Sequence, residues 1–492
     1  MSLALTRSGP GITVDGDEYL HVATSFSAHG ALSMPYQSYD EPYQTPVQLR
    51  PAIPLSQFPP AWPIVLGSAA AITGADPLTV ARALNAAFLA AFALMIGVIV
   101  LRRSSSRVAA VTSMLLLAVP DLLVAHAQVW AEPLLLLGMA VTLLALDNRL
   151  RGDTRVRWIV VAMVGIALSV ASRYAGLGIA IGAVFAVLVP RAPALRDRLR
   201  AAALLIAAAA APVVAWTARN LTAIGRPSER AVGWHPPGWR VASHSLDPVA
   251  TWLIGRNVGR GVVVVTLLAA LAAGAVGAWR APRLREPSVG LLAGSIGVGY
   301  LLVVFAARTV LDANVPFDGR VLLPLLPVMV IGVAGSLPTR PAARWALLGL
   351  AVAVLAGFVA RAATLISQFP RGEIAGYRSA RWVTSPTLEY LRALPESTVI
   401  ITNAPDVVHL YLDPRVTVFV PLRSNLYAGG RNRSYARQVA SVASAVRGHR
   451  AVLAFFDRPT RGTTRGVAPG LADSLGMRDP RRFEDGIVFT RL

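Results

Sequence analysis

The sequence contains no cysteine and no lysine. Without cysteine, disulfides and thiolate metal sites are excluded, and the redox compartment leaves no mark on the chain. All 47 Lys-plus-Arg positions are therefore arginine, for which a GC-rich genome is the simplest cause. Charge is scarce as well: 15% of residues are charged against 54% hydrophobic, with a mean hydropathy of +0.55. That balance excludes an ordinary water-soluble domain and marks an integral membrane protein. The seven histidines show no HxxxH or HxxH spacing, so no histidine-built metal site is expected. Residues 1–13 lack the apolar core of a signal peptide.

The net charge of +21 is divided into short arginine clusters between apolar runs. It forms no continuous basic face or arm, so nucleic acid is not an expected partner. Apolar runs lie near 78–101, 108–127, 129–147, 158–173, 174–190, 200–219, 260–279, 288–307, 320–337 and 342–364. Most approach the roughly 20 residues that a 30 Å hydrocarbon core demands. The run 61–74 is too short to cross and reads as a helix lying at the interface.

The pair at 158–190 reads either as one long tilted helix or as two short ones hinged at Arg173. Arginine clusters at 102–107, 149–157, 191–200, 280–285 and 340–344 all fall on one side only if the pair is two spans. By the positive-inside rule that side is the cytoplasm. About ten spans follow, with residues 1–77, the loops 220–259 and 308–319, and everything after 365 outside.

The expected fold is mainly α, a polytopic helical bundle over 78–365. Ahead of it lies an extracytoplasmic stretch, 1–77, read as a long polar loop that carries an acidic motif and the interfacial helix. Behind it, 366–492 alternates β-rich runs (397–403, 416–421, 451–457, 486–491) with helical patterns (386–394, 405–412, 434–447). That alternation predicts a small extracytoplasmic α/β domain with a partly parallel sheet. It has no glycine-rich phosphate loop, so nucleotide binding is not expected there. Neither a solenoid repeat nor an inverted repeat is evident.

Candidate chemistry begins in VDGDEYLHVA, 14–23, which carries Asp15, Asp17 and Glu18 just before an apolar helix start. Carboxylates there either cap that helix or take part in a reaction. Glu132, in AHAQVWAEPLLLLG, sits at the edge of an apolar run on the same outer side, where an ionisable group is costly and is a functional candidate. Arg173, Arg219 and Arg320 lie on the outer face, against the cytoplasmic bias of the other arginines. A guanidinium fork there suits a lipid-linked phosphate, the alternative being snorkelling to headgroups. Together, outward carboxylates and arginines suit a carboxylate that takes a proton from an acceptor hydroxyl while arginines stabilise a departing phosphate. Trp234 and Trp239 in the loop 220–259 are placed to stack on a sugar ring or to anchor at the interface.

DGDEYLHVATSFSAHG (15–30) resembles the first external loop of the GT-C superfamily of polyprenyl-phosphate-sugar-dependent glycosyltransferases, which includes protein mannosyltransferases and aminoarabinose transferases. FPPAWPIVLGSAAAITGADPLTVARALNA (58–86) resembles that family's PPxxP segment and the short glycine-ended helix after it. VWAEPLLLL (129–137), SRYAGL (172–177), WTARN (216–220) and GRVLLPLLP (319–327) follow in the family's order.

The resemblance implies inverting transfer of a sugar from a polyprenyl-phosphate donor to a glycan, lipid or protein acceptor, on the extracytoplasmic face of a bacterial inner membrane. It implies Asp15 as base, with Asp17 as fallback, and Glu132 as the second acidic position. Arg173, Arg219 and Arg320 become donor-phosphate residues; Tyr19, with Trp234 and Trp239 of the outer loop, is expected on the sugar or acceptor side. Some relatives use a divalent cation beside the acidic loop, for which Asp15 and Asp17, with Glu132, would supply oxygen ligands to Mg²⁺ or Mn²⁺. The family carries a transmembrane helix ahead of this loop, and this sequence is expected to lack it. Two other classes fit ten helices: a carrier of a lipid-linked or anionic solute, and an inactive glycan-binding scaffold of the same fold. Against the carrier stand the missing repeat and the shortage of mid-helix charge.

Overall fold

The structure, a computed structural model, describes residues 1–35, 53–102, 104–153, 155–189, 194–228, 232–239, 243, 246–254, 289–312, 315–335, 341–369, 372–413, 415–424, 431–457 and 470–490. The expected run 260–279 lies outside them.

Helices α1 (Ser2–Leu5), α2 (Val14–His29), α3 (Ala61–Thr73) and α4 (Pro77–Leu101) open the chain, with a two-stranded antiparallel ladder of β1 (Ser33–Met34) and β2 (Ile53–Pro54) after α2. There follow α5 (Ser106–Ala118), α6 (Pro120–Ala127), α7 (Glu132–Leu150), α8 (Val156–Ser172), α9 (Gly176–Leu188), α10 (Leu195–Ile224), α11 (Leu246–Ile254), α12 (Val289–Val310), α13 (Leu325–Gly335) and α14 (Pro341–Gln368). Among the described residues five helices are long and apolar enough to cross a membrane: α4, α7, α10, α12 and the stretch Ala351–Gln368 of α14. A sixth span appears if α5 and α6, bent by 54° to each other, count as one.

Among the described residues not every expected run reaches spanning length, and the pair at 158–190 is, as expected, two short helices. The run 158–190 breaks into α8 and α9, both short, because Arg173 takes an extended backbone (φ −152°, ψ 140°) that ends α8. The run 320–337 opens with turns and supplies only the 11-residue α13. The polar stretch 1–59, read as a loop, contains the 16-residue helix α2. Its burial comes from two separate cores. Val14 packs with the C-terminal core, while Tyr19, Val22 and Ala23 pack with α3 and the start of α4.

The rest of the chain comprises α15 (Ala380–Val383), α16 (Pro386–Ala393), β3 (Val399–Thr402), α17 (Pro405–Leu412), β4 (Thr417–Phe419), α18 (Tyr435–Ala445), β5 (Ala451–Phe456), α19 (Leu471–Ser474), β6 (Arg478–Phe483) and β7 (Gly486–Thr490). The strands form one five-stranded sheet in the order β4-β3-β5-β7-β6. Its β4-β3-β5 half is parallel and its β5-β7-β6 half antiparallel. Strands β3 and β4 are buried throughout, as expected of parallel strands covered on both faces.

The segment ahead of α2 is laced between the helical bundle and this C-terminal unit. The Gly11 amide bonds the Ala127 carbonyl (2.8 Å) and the Val129 amide returns to Gly11 (3.1 Å). One residue on, the Ile12 amide bonds Ala375 (3.2 Å) and the Tyr377 amide bonds Ile12 (2.7 Å). Gly376 makes the second contact possible. It sits at φ +61°, and a Cβ there would strike the Ile12 carbonyl oxygen.

Candidate active site

Thr13 precedes α2 in extended backbone, but its hydroxyl does not cap the helix. It accepts instead from the Trp130 indole nitrogen (2.7 Å). Asp15, Asp17 and Glu18 therefore lie within the first turns of α2, not ahead of it, and all three are buried. Gly16 between them lets the helix press against its neighbour, since a Cβ there would lie 3.1 Å from the Val129 carbonyl oxygen. Asp15 and Asp17 point to different places. Asp15 accepts from Arg320 Nη2 at 2.6 Å, whereas Asp17 faces His21 Nε2, one turn on, at 3.3 Å.

Glu132 opens α7, with Pro133 directly behind it, where the helix dipole and the fixed proline φ both favour this start. Its Oε1 accepts from Arg173 Nη1 (2.7 Å) and from Arg320 Nε. Arg320 is delivered by a tight turn in which Asp318 Oδ1 accepts the backbone amides of Arg320 (3.1 Å) and Val321 (3.0 Å). Its guanidinium lies 4.1 Å from the centre of the Trp130 ring, a cation–π platform. One arginine thus joins two carboxylates, and a second arginine joins one of them.

Glu132, Arg173 and Arg320 border a pocket of about 100 Å³, lined also by Tyr174, Tyr300 and Phe58. The far wall is apolar, with Val304, Ala307, Val315 and Val321. Tyr19 stands beside the cluster, its ring 5.4 Å from Phe58 and its hydroxyl buried without a hydrogen-bond partner. Burial pushes the Tyr19 hydroxyl up; Arg173 pulls it down and Asp15 pushes it up further, leaving it neutral.

Arg219 is engaged elsewhere. It donates to the carbonyls of Leu32 (3.2 Å) and Leu55 and stacks on Trp216 at 4.7 Å, so it ties the β1–β2 ladder to the end of α10. Trp234 and Trp239 are 78% and 83% exposed and do not line the pocket. The three-oxygen set suggested for a divalent cation is not assembled. Asp15 and Glu132 face guanidinium groups, Asp17 faces a histidine, and among the described residues no three acidic or histidine side chains are grouped to hold a metal. The donor set in this arrangement does not fit Mg²⁺ or Mn²⁺.

Sequence reasoning passed over three features. Trp130, two residues before Glu132, forms the cation–π platform. Tyr174 follows Arg173 and lines the pocket. His21 and His409 meet edge to face at 4.6 Å between α2 and α17. The first two were adjacent to residues already singled out, whereas the histidine contact joins positions 388 apart in sequence and has no local signal. Burial pulls His409 down, His21 adds to this, and it falls to about 4. For His21, burial pulls down, but the Asp17 ion pair and hydrogen bond, with Asp413 and Asp406, outweigh it and raise the imidazole.

No family model matches the sequence, and no curated protein matches it. Solved structures do. ArnT from Cupriavidus metallidurans in the apo state aligns over 100% of this chain and 96% of its own, with TM-score 0.60 at 16% identity. The same protein bound to undecaprenyl phosphate gives the same coverage, score and identity. The Archaeoglobus fulgidus oligosaccharyltransferase tethered with an acceptor peptide aligns over 92% of this chain and 68% of its own, with TM-score 0.48 and 13% identity. The chain therefore shares the fold of the ArnT structures.

Proposed function

We propose that this protein is an inverting glycosyltransferase that moves a hexosyl or pentosyl group from a polyprenyl-phosphate donor to a glycan, lipid or protein acceptor of the cell envelope. The reaction takes place at the extracytoplasmic face of a bacterial inner membrane, with the C-terminal sheet unit on that side. The observation that carries this reading is the joint engagement of Asp15 and Glu132 by Arg320, where Glu132, Arg320 and Arg173 line a pocket with one apolar wall. The undecaprenyl phosphate bound by the structurally similar ArnT supports a lipid-phosphate donor.

In the proposed step the acceptor hydroxyl oxygen attacks the anomeric carbon from the side opposite the phosphate. The new C–O bond forms as the bond to the phosphate oxygen breaks, the anomeric centre inverts, and the acceptor's proton passes to the Asp15 carboxylate. Polyprenyl phosphate leaves carrying the bonding electron pair.

Charge balance favours this assignment. Two guanidinium groups face two carboxylates at the start, so the cluster is close to neutral. Protonation of Asp15 removes one counter-charge from Arg320 at the moment the leaving phosphate gains charge, and Arg320 and Arg173 then stabilise that phosphate. Glu132 holds both arginines through the step. The unpartnered Tyr19 hydroxyl is available to a sugar hydroxyl, and exposed Trp234 and Trp239 suit stacking on the acceptor.

The test is sugar transfer by Asp15→Asn, followed as product formed from a radiolabelled polyprenyl-phosphate sugar. A loss on the order of 10²–10⁴-fold is expected from removal of a general base, with the unfolding temperature in detergent retained. Full activity in a folded Asp15→Asn protein would overturn the assignment.

A further inference from the structure

Arg308 lies in the last turn of α12, and its Nε and Nη1 are buried without a hydrogen-bond partner. An arginine snorkelling from a helix end would hold these nitrogens in water or against headgroups. A buried guanidinium N–H with no acceptor is costly. The obvious local acceptors are occupied by other donors. The Thr309 carbonyl accepts from the His235 amide (2.9 Å), the Val310 carbonyl from the Gly233 amide (2.9 Å), and the Ala307 carbonyl from the amides of Leu311 (2.9 Å) and Asp312 (3.0 Å). The segment 233–235 is thereby fastened along the end of α12, and it brings a second such group, because His235 Nε2 is also buried without a partner.

Position 308 follows Val304 by four residues, so the two share one face of the helix. Val304 lines the pocket, which puts Arg308 one turn beyond that wall. Two side chains with unmet hydrogen-bonding capacity, on two segments fastened together by backbone bonds at 309 and 310, offer donors suited to an anion with several acceptor oxygens.

We propose that Arg308 and His235 form an oxyanion-binding site at the C-terminal end of α12 that takes a phosphate group, separate from the Asp15–Glu132–Arg320 cluster. Its ligand is the phosphate of a membrane lipid headgroup or of an incoming substrate. The site stands independently of the transfer reaction proposed above.

The probe is inorganic phosphate, titrated calorimetrically into the full chain in a phosphate-free detergent. Arg308→Gln should weaken binding at this site by about tenfold or more, equivalent to about 1.4 kcal/mol, and Arg308→Lys by less, since it keeps the charge but loses the fork. His235→Ala should weaken it as well, whereas Arg173→Gln should leave this component in place. Unchanged phosphate affinity in folded Arg308→Gln and Arg308→Lys proteins overturns the site, as does loss of all binding in Arg173→Gln alone. The source is separated in nanodiscs of a phosphate-free glycolipid. Competition by added phosphatidylglycerol in wild type but not in Arg308→Gln identifies a headgroup site. Undiminished phosphate binding in its presence identifies a substrate phosphate.

Discussion

Arg320 contacts Asp15 and Glu132 at once, its Nη2 2.6 Å from Asp15 Oδ2 and its Nε bonded to Glu132 Oε1. Two buried carboxylates pair with this one guanidinium, and Glu132 pairs with Arg173 as well. Arg320→Gln is expected to cost about 3–5 kcal/mol, the usual penalty for leaving a buried charge uncompensated. Arg320→Lys should recover part of it, because a point charge reaches one carboxylate but cannot fork across two. Thermal unfolding of the three proteins in the same detergent measures the difference. Equal stability of wild type and Arg320→Gln would show that the cluster does not hold the fold.

Arg219 is expected to act on the β1–β2 ladder and not on the phosphate. Arg219→Ala removes charged donors from the carbonyls of Leu32 and Leu55, which should cost about 1–3 kcal/mol. Proteolysis between residues 32 and 55 should become faster, with donor binding little changed. A selective loss of donor affinity, with the ladder still protected, would return Arg219 to the donor site.

The donor set around Asp15 predicts no dependence on a divalent cation. Activity measured after EDTA and gel filtration should match the untreated protein, and added Mg²⁺ or Mn²⁺ should not raise it. Loss on chelation with recovery on either ion would mean that Asp15 and Asp17 rearrange to ligate metal when substrate binds.

The His21–His409 contact predicts an acid-sensitive fold. An unfolded histidine titrates near 6.5, and burial beside His21 brings folded His409 down to about 4. Between about pH 6.5 and 4 the unfolded chain thus holds a proton that the fold does not, so this residue's contribution falls as pH falls through that window. His21, raised by Asp17, works in the opposite direction. His409→Phe should lose roughly 1–3 kcal/mol less stability than wild type between pH 6.5 and pH 4. Parallel pH profiles would remove His409 as the cause.

Local signals in the sequence were legible where chain periodicity and burial agree. The strands β3, β4, β5 and β7 fall within the four β-rich runs, and α16, α17 and α18 within the helical ones. Strand β6, Arg-Asp-Pro-Arg-Arg-Phe, was missed because it is polar and exposed at the sheet edge, held by its pairing to β7. Glu132, Arg173 and Arg320 stood out as charges at the margins of apolar runs, and the structure brings them together. Arg219 carried the same signal and went to backbone carbonyls instead. A guanidinium at a helix end looks identical in sequence whether it faces a ligand or a neighbouring loop. Asp17 shows the same limit, since only the register of α2 separates it from Asp15.

The lacing of Gly11 and Ile12 between Gln128 and Gly376 bears on how this protein can be re-engineered. The proposed base lies three residues after Ile12, so its position is referenced to the bundle on one side and to the C-terminal sheet unit on the other. A chimera that exchanges residues 373–490 for those of another protein would lose the contacts of Ala375, Gly376 and Tyr377 with Ile12, and with them one of the two rails that aim Asp15. Grafts meant to change acceptor preference should therefore preserve 373–377 and begin downstream of it.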